Sequence, residues 1–291
     1  MIRSMLFVPA DSERKLMRAA DTGADAVVLD LEDSVMPERK PLARSMMQAY
    51  LRDVVERQRC WVRVNSLSSG ELLADLVATV SAKPYGILLP KIFCAEDLVT
   101  VGHYLDALEA VHGIEPGSIH IAVLVTETPS ALLRLAELVS QSYPRVKAVL
   151  WGAEDLSSAM GAGDPRNAKG GWRPTYEFAR TQALLVAHAL GVEAIDTVYV
   201  DFHDPQGLAD ACRVSRHDGF TGRVAIHPNQ VAIINKAYSP DAGEIELAQR
   251  IVAAFADGVG AVAIDGKMYD IPHLKAANRL LATLEHVHGQ A

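Results

Sequence analysis

Eight short apolar runs, separated by amphipathic stretches, are the feature that most constrains the fold of this 291-residue chain. Each run is almost continuously hydrophobic, which is typical of parallel strands covered on both faces. The runs are residues 4–8, 26–31, 60–64, 86–90, 119–125, 148–151, 194–196 and 224–226. Helical patterns lie between them, as at residues 71–82 and 176–190. Eight strand–helix units predict an α/β fold of the (β/α)₈ TIM-barrel type.

The main alternative is a doubly wound open sheet with a nucleotide site. Such a sheet usually begins with a glycine-rich turn, but the first run is followed by Pro9-Ala10-Asp11-Ser12, and no Walker sequence occurs. The barrel is therefore favoured, with residues 1–237 as the catalytic domain. Residues 238–291 are predicted to form a C-terminal helical extension that packs on a neighbouring subunit.

Composition excludes several classes of function. The net charge of −8 argues against a nucleic-acid binder, and no apolar stretch reaches the length of a membrane span. The three cysteines show no CxxC spacing, so we expect free thiols and no zinc site. With no signal-peptide pattern at the first residues, we expect a cytoplasmic enzyme with small-molecule substrates and neither a nucleic-acid nor a membrane partner.

Charged or hydrogen-bonding side chains follow almost every run. They are Asp30, Glu32 and Asp33, then Arg63 and Asn65, then Lys91, Glu127, Glu154 and Asp155, Asp196, and finally His227. In a TIM barrel the carboxyl ends of the strands form the active site. We therefore expect these residues, Lys91 included, to surround a substrate.

Glu127 and Asp155 are the candidate metal ligands. Each follows a buried run, where a carboxylate is costly unless it is paired or binds a cation. Two carboxylates suit Mg²⁺, with Mn²⁺ as an alternative, because Mg²⁺ usually takes one or two protein carboxylates and completes its shell with water and substrate. The competing interpretation is that both are acids at helix N-termini.

Several other candidates keep two interpretations. Arg63 is a fixed cation for a carbonyl oxygen or the partner of Glu32 or Asp33. Lys40 and Arg44, one helical turn apart, are phosphate contacts for coenzyme A or simply a solvated helix face. His227 is expected to line the pocket without taking part in acid–base chemistry. By composition alone, Asp265 belongs to an Asp-Gly turn.

Several sequence motifs of the chain resemble those of the citrate lyase β-subunit and malyl-CoA/citramalyl-CoA lyase family, in the HpcH/HpaI aldolase superfamily. The matching segments are LFVPA, DLEDSV, VRVN, LLPKI, TETP, WGAEDL, AIHPNQ and AIDGKM. The resemblance implies Mg²⁺ on Glu127 and Asp155, with Glu32 and Asp33 near the metal's waters and Arg63. It also implies that Arg63 contacts the thioester carbonyl and that Asp265 is the acid/base supplied by a neighbouring subunit.

This resemblance implies a Mg²⁺-dependent carbon–carbon lyase of the oxo-acid-lyase type. It would cleave a 3-hydroxyacyl-CoA thioester, such as citramalyl-, malyl- or citryl-CoA, into an acyl-CoA and an oxo-acid. The expected assembly is a homo-oligomer, specifically a trimer. Two alternatives stay open: a pyruvate-class metal-dependent aldolase, and a subunit that acts only on a carrier-protein thioester within a complex.

Overall fold

Eight parallel strands close into a barrel in the order in which they occur along the chain. The computed structural model describes residues 1–168, 170–256, 258 and 260–288. The barrel strands are β1 Ser4–Pro9, β2 Ala26–Asp30, β3 Cys60–Arg63, β4 Gly86–Leu89, β5 His120–Leu124, β6 Val146–Leu150, β7 Glu193–Asp196 and β8 Gly222–Ala225. Closure is made by β1 and β8, where Met5 pairs with Val224. The predicted TIM barrel is confirmed.

The barrel interior is filled by side chains from alternating strand positions. They include Val28, Trp61, Leu88, Leu150 and Ile195, all almost fully buried. Trp61 fits because β4 begins with a glycine: a Cβ at position 86 would come within 2.7 Å of the indole ring and of a backbone oxygen. Burying this much apolar surface supplies most of the free energy that favours the closed sheet.

Helices cover the outside of the barrel. They are α1 Glu13–Ala19, α2 Lys40–Asp53, α3 Leu72–Ser81, α4 Ala95–His112, α5 Pro129–Leu133, α6 Ala153–Ala159, α7 Pro174–Leu190, α8 Pro205–Asp218 and α9 Pro228–Tyr238. The connection from β6 to β7 contains two of them, α6 and α7. Between these two lies a long glycine-rich segment, residues 161–173, of which residue 169 is outside the described residues.

By their internal contacts, the residues of the chain divide into two compact units. One is Ile2–Lys236, and the other is Ala237–Ala291 together with Met1. The second unit contains α10 Ala242–Ala254, β9 Ala261–Ile264, β10 Lys267–Asp270 and α11 Ile271–His288. Among the described residues, no helix combines the length and the apolar character needed to cross a membrane.

A tight hairpin is the central feature of the C-terminal unit. β9 and β10 pair antiparallel with Ile264 opposite Lys267, so only Asp265 and Gly266 form the loop. Both have positive φ, 50° and 75°, which is the type I′ turn that Asp-Gly favours. The turn interpretation of Asp265 is therefore correct as local structure.

Candidate active site

A cavity of about 320 Å³ opens at the carboxyl ends of the barrel strands. Its wall includes Phe7, Arg63, Glu127, Trp151 and Asp155. A larger groove of about 890 Å³ lies beside α1 and α2, but its lining is mainly apolar and contains none of the strand-end candidates. Because the charged groups at the strand ends converge in the smaller of these two cavities, we take it as the candidate active site.

Glu127 is the acid of the site whose pKa is raised most. It follows β5, is 3% exposed, and accepts a hydrogen bond from the backbone N–H of Lys91 through Oε2. Burial, together with the charges of Asp155 and Glu32, raises the pKa of Glu127 to about 8. The cap of α5 is the next residue, Thr128, whose hydroxyl accepts the N–H of Ala131. Glu127 is therefore not a helix cap, and a nearby cation would relieve its burial.

Asp155 lies in the first turn of α6, on the same cavity wall as Glu127. Its side chain is 36% exposed, and its Oδ1 is 3.5 Å from Lys91 Nζ. A first-turn acid is also favoured by the helix dipole, so the structural interpretation of Asp155 is compatible with this position.

These carboxylates fit a magnesium ion. In the described part of the chain, no three His, Cys, Asp or Glu side chains converge closely enough to enclose a metal by themselves. Mg²⁺ does not require such an enclosure, because one or two carboxylates with water and substrate oxygens complete its shell. The raised pKa of Glu127 shows that acidic charge is under-compensated here. Glu127 and Asp155 would hold the ion.

Arg63 is paired with Asp30, the last residue of β2, and lies beside Glu32 in the loop that follows. Its Nε and Nη2 donate to Asp30 Oδ1 and Oδ2 at 2.7 and 2.6 Å. Its Nη1 lies 3.0 Å from Glu32 Oε2, although that oxygen accepts no hydrogen bond in the described structure. Burial opposes ionisation of Asp30, but Arg63 outweighs it and the pKa of Asp30 is lowered. Both interpretations of Arg63 are compatible with this geometry, because a bidentate pair fixes the guanidinium on the cavity wall.

Glu32 and Asp33 differ sharply in exposure. Glu32 is 5% exposed, and burial raises its pKa despite the nearby charge of Arg63. Asp33 has a side chain that is 52% exposed. Both accept hydrogen bonds from Lys91 Nζ at 2.7 Å. Both acids therefore lie beside Lys91, and Glu32 also lies beside Arg63. Their predicted place near the metal's waters stays a prediction.

Lys40 is largely buried and its ammonium is engaged within the protein, so this geometry does not support its predicted role as a phosphate contact. Its ammonium donates to the carbonyl oxygens of Leu31 and Glu32, at 3.0 and 3.2 Å, and to Asn65 Oδ1 at 2.6 Å. An ammonium has three donors, and all three are used within the protein. Lys40 instead fixes the backbone on which Glu32 is carried.

Arg44 is likewise engaged by acids. Its Nε donates to the buried Asp75 at 2.7 Å, and its Nη2 pairs with Glu71. Asp75 also accepts the backbone and side-chain N–H groups of Asn65 at 2.7 and 2.6 Å. Lys40, Asn65, Asp75 and Arg44 thus form one network that joins the loops after β2 and β3. The predicted coenzyme contact through this pair is not supported.

His227 lies beside the cavity wall and not on it, which corrects its predicted place. The wall is formed by Ile226, whereas the His227 ring stacks on Phe202 with centroids 5.0 Å apart. Its Nδ1 accepts the N–H of Asn229 at 3.2 Å, which stabilises the first turn of α9. The histidine therefore has a structural role in this turn.

Asp265 belongs to the C-terminal unit and is paired at the surface. Both carboxylate oxygens accept from Arg250 at 2.8 Å, and this hydrogen bonding lowers the pKa of Asp265. Its side chain is 68% exposed. An exposed acid is accessible to a second subunit, and its predicted role as acid/base stays a prediction.

Two residues of the site were missed by sequence reasoning. Lys15 in α1 is an exposed cation on the cavity wall, and its position one turn into the first helix could have indicated this. The second is Gly152: a Cβ there would lie 3.1 Å from Cγ of Glu127. This close approach between β5 and β6 is a tertiary contact that no local pattern reveals.

The fold and the site define a barrel enzyme whose acids and arginine converge on one cavity. Residues 3–228 match the family described as HpcH/HpaI aldolase/citrate lyase, and the chain belongs to this family. It is 35% identical over 294 residues to a (3S)-malyl-CoA thioesterase of Cereibacter sphaeroides, covering 98% of this chain and 95% of the relative. It is 32% identical to the human mitochondrial citramalyl-CoA lyase, with 94% and 83% covered. The prediction that the chain belongs to this family and the prediction that it is an enzyme are both confirmed.

Two similar solved structures contain magnesium together with small organic ligands. The Mycobacterium tuberculosis protein CitE in complex with magnesium, acetoacetate and coenzyme A matches with a TM-score of 0.81 and 31% identity, covering 96% of this chain and 97% of that one. CitE with magnesium and pyruvate matches with a TM-score of 0.74 and 29% identity, over 96% and 97%. The expectation of Mg²⁺ as the family's cofactor is thereby confirmed.

Proposed function

We propose that this protein is a Mg²⁺-dependent lyase that cleaves a 3-hydroxyacyl-CoA thioester into an acyl-CoA and an oxo-acid. The observation that carries the proposal is the convergence of Arg63, Glu127 and Asp155 on one cavity. An acid pair for a divalent cation and a fixed guanidinium are the two groups that such a cleavage needs. Citramalyl-, malyl- and citryl-CoA are the candidate substrates.

In the reaction, the bond between the hydroxyl-bearing carbon and the carbon next to the thioester breaks. The hydroxyl group gives its proton to water and becomes the carbonyl of the oxo-acid, while the electron pair moves into the thioester as an enolate. Glu127 and Asp155 would hold Mg²⁺, which would supply Lewis-acid polarisation of the substrate oxygens. Arg63, held by Asp30, is placed to stabilise the negative charge on the enolate oxygen.

The enolate carbon must then gain a proton to give the acyl-CoA. We propose that Asp265 of a neighbouring subunit delivers it, in a homotrimer whose C-terminal units complete one another's sites. Support comes from the exposure of Asp265 and from the fixed geometry of its type I′ turn. Its pKa is lowered by Arg250, so docking on a second subunit would have to weaken that ion pair before Asp265 could hold a proton at neutral pH.

Hydrolysis of the thioester is the second candidate function. It is favoured by the similarity to a (3S)-malyl-CoA thioesterase, which extends over almost the whole chain. In that reaction the carbon–sulfur bond breaks, and water supplies the oxygen of the product acid. The carbon–carbon bond stays intact, so the two activities release different products from one substrate.

One assay separates these functions. The purified protein is given malyl-, citramalyl- and citryl-CoA with Mg²⁺, and oxo-acid and free thiol are measured in parallel. A lyase releases oxo-acid without free thiol, and a thioesterase releases thiol without oxo-acid. Free hydroxy-acids test the aldolase alternative, and a carrier-protein thioester tests the subunit alternative. We expect oxo-acid release from a CoA ester, loss of activity with EDTA, and recovery with Mg²⁺ or Mn²⁺; turnover by fully demetallated protein would contradict the metal-dependent proposal.

A further inference from the structure

Lys91 has an unusual backbone conformation directly beside the candidate metal site. It follows β4 and has a φ of 50°, a left-handed conformation that a residue with a side chain rarely adopts. This conformation directs its backbone N–H to Glu127 Oε2. Conformations of this kind persist where the surrounding structure imposes them and often occur at functional sites.

The side chain of the same residue gathers the other acids. Lys91 Nζ lies 2.7 Å from Glu32 Oε1, 2.7 Å from Asp33 Oδ2 and 3.5 Å from Asp155 Oδ1. Burial alone would lower the pKa of Lys91, but its hydrogen bonds to Asp33 and Glu32 outweigh this, so the ammonium stays charged. One residue therefore contacts four acids at the site, namely Glu32, Asp33, Glu127 and Asp155.

The contacts also differ in strength. The two shorter contacts are hydrogen bonds to Glu32 and Asp33, whereas the longest contact is to Asp155, a proposed metal ligand. A divalent cation near Asp155 would repel the ammonium. The contact that must weaken when the metal binds is thus also the weakest of the three.

We propose that the Lys91 ammonium substitutes for the metal's charge whenever Mg²⁺ is not bound. It holds Glu32, Asp33 and Asp155 together, and it separates from Asp155 when Mg²⁺ binds while keeping Glu32 and Asp33. Lys91 is thereby a positioning residue, because its positive charge offsets the mutual repulsion of these carboxylates and keeps them close together. This inference rests on the metal site of the proposed function.

The test measures Mg²⁺ binding by calorimetry in Lys91→Met, at pH 8.5, where protons compete least for the acids. Removing a cation that opposes the metal should tighten Mg²⁺ binding about tenfold. Lys91→Arg keeps the charge and should stay within about threefold of wild type. The matched control is Lys83→Met, because Lys83 is an exposed lysine with a φ of 55°. It should bind Mg²⁺ like wild type.

Thermal unfolding supplies a second measurement. In EDTA, Lys91→Met should unfold a few degrees below Lys83→Met, because its acids repel each other without compensation. Saturating Mg²⁺ should narrow that difference, because wild type gives up its Asp155 contact when the metal binds but keeps its hydrogen bonds to Glu32 and Asp33.

Three outcomes would overturn the proposal. Mg²⁺ affinity in Lys91→Met that is unchanged, or weaker than in wild type, would show that Lys91 does not stand in for the metal. So would a thermal difference that Mg²⁺ leaves unaltered. A wild-type protein that binds no Mg²⁺ would overturn the metal-dependent function together with this inference. Normal metal-dependent cleavage of a thioester, combined with weaker Mg²⁺ binding in Lys91→Met, would overturn the inference alone.

Discussion

Arg63 combines two demands on a single side chain. It must remain charged inside a cavity wall and, in the proposed reaction, it must keep donors directed at a substrate oxygen. The bidentate pair with Asp30 meets the first demand, because the paired acid compensates the buried charge. It also meets the second demand by fixing the plane of the guanidinium. An ammonium in the same place would have neither property.

Replacement of Arg63 by lysine is therefore expected to lower kcat about 10²-fold or more, the scale of losing one oxyanion donor. KM for the thioester should change less, because the stabilised charge develops in the transition state. Thermal unfolding must be measured alongside, since Asp30 loses its bidentate partner. A folded variant with kcat near that of wild type would reduce Arg63 to a structural ion pair.

If Glu127 is a metal ligand, as proposed, it should link Mg²⁺ binding to pH. Its pKa of about 8 then means that Mg²⁺ would displace a proton at neutral pH. The apparent Mg²⁺ affinity should thus fall as the pH is lowered below 8, by at most about tenfold per unit. Calorimetric titrations between pH 6.5 and pH 9 measure this slope.

The matched variant is Glu127→Gln, which retains the size of the side chain. We expect it to stay folded, to bind Mg²⁺ more weakly and to lose most of the pH slope, because an amide does not titrate. Unchanged affinity in this variant would exclude Glu127 as a ligand.

At the scale of elements, the strand ends serve two different purposes. The ends of β3, β5 and β6 carry candidate chemistry, whereas the end of β7 is structural. Asp196 is 1% exposed and accepts from Trp151 Nε1 at 2.6 Å and from Arg223 Nη2 at 2.5 Å. Burial opposes its ionisation, but Arg223 and Arg180 outweigh it, so the pKa of Asp196 is lowered. This acid joins the end of β7 to the end of β6 and to the beginning of β8.

Asp196→Asn should destabilise the protein by about 3–5 kcal/mol, because it leaves the buried Arg223 charge uncompensated. Asp210→Asn is the control: its pair with Arg213 is exposed, and its loss should cost about 1 kcal/mol or less. Chemical denaturation of both variants gives the comparison.

The pH dependence gives a further check on Asp196. A carboxyl group with a depressed folded pKa stabilises the protein above its unfolded pKa and loses that contribution as the pH falls through the folded value. The difference in the free energy of unfolding between wild type and Asp196→Asn should therefore be largest near neutral pH and should decrease below about pH 4. A difference that does not depend on pH would contradict this account.

The barrel was predictable from the sequence because its signals are local. Each run is apolar over its own few residues, and each acid directly follows its run, so Glu127 and Asp155 could be placed on the same edge. The roles of Lys40 and Lys91 were not predictable in this way. Lys40 is defined by contacts with Leu31 and Asn65, and Lys91 by contacts with acids 58 or 59 positions away in sequence. Charge spacing on a helix cannot reveal which cations become buried.

For the whole molecule, the open question is whether one chain contains a complete site. Asp265 lies in a unit distinct from the barrel unit that carries Glu127. If the acid acts on a neighbouring barrel, Glu127→Gln and Asp265→Asn should complement each other. Random mixing in a ring of heterologous contacts leaves both wild-type groups in about a quarter of the sites. Co-refolding of the two inactive variants should therefore restore about that share of wild-type activity.

The control for this experiment mixes Glu127→Gln with Arg63→Lys. Both changes lie in the barrel, so a neighbouring C-terminal unit cannot repair either one, and activity should stay at the level of the Arg63→Lys protein alone. Mixed oligomers must be verified by mass. Absence of recovery in verified mixtures of the Glu127 and Asp265 variants would contradict the shared site.

The absence of a side chain at Gly152 also has an evolutionary consequence. A Cβ at this position would crowd Glu127 at 3.1 Å, so the glycine and the long acid are sterically coupled across two strands. Substitutions at the two positions should therefore be correlated during divergence. A lineage that acquires alanine at position 152 would be expected to shorten the acid at 127 to aspartate, or to lose the acid and, with it, the metal.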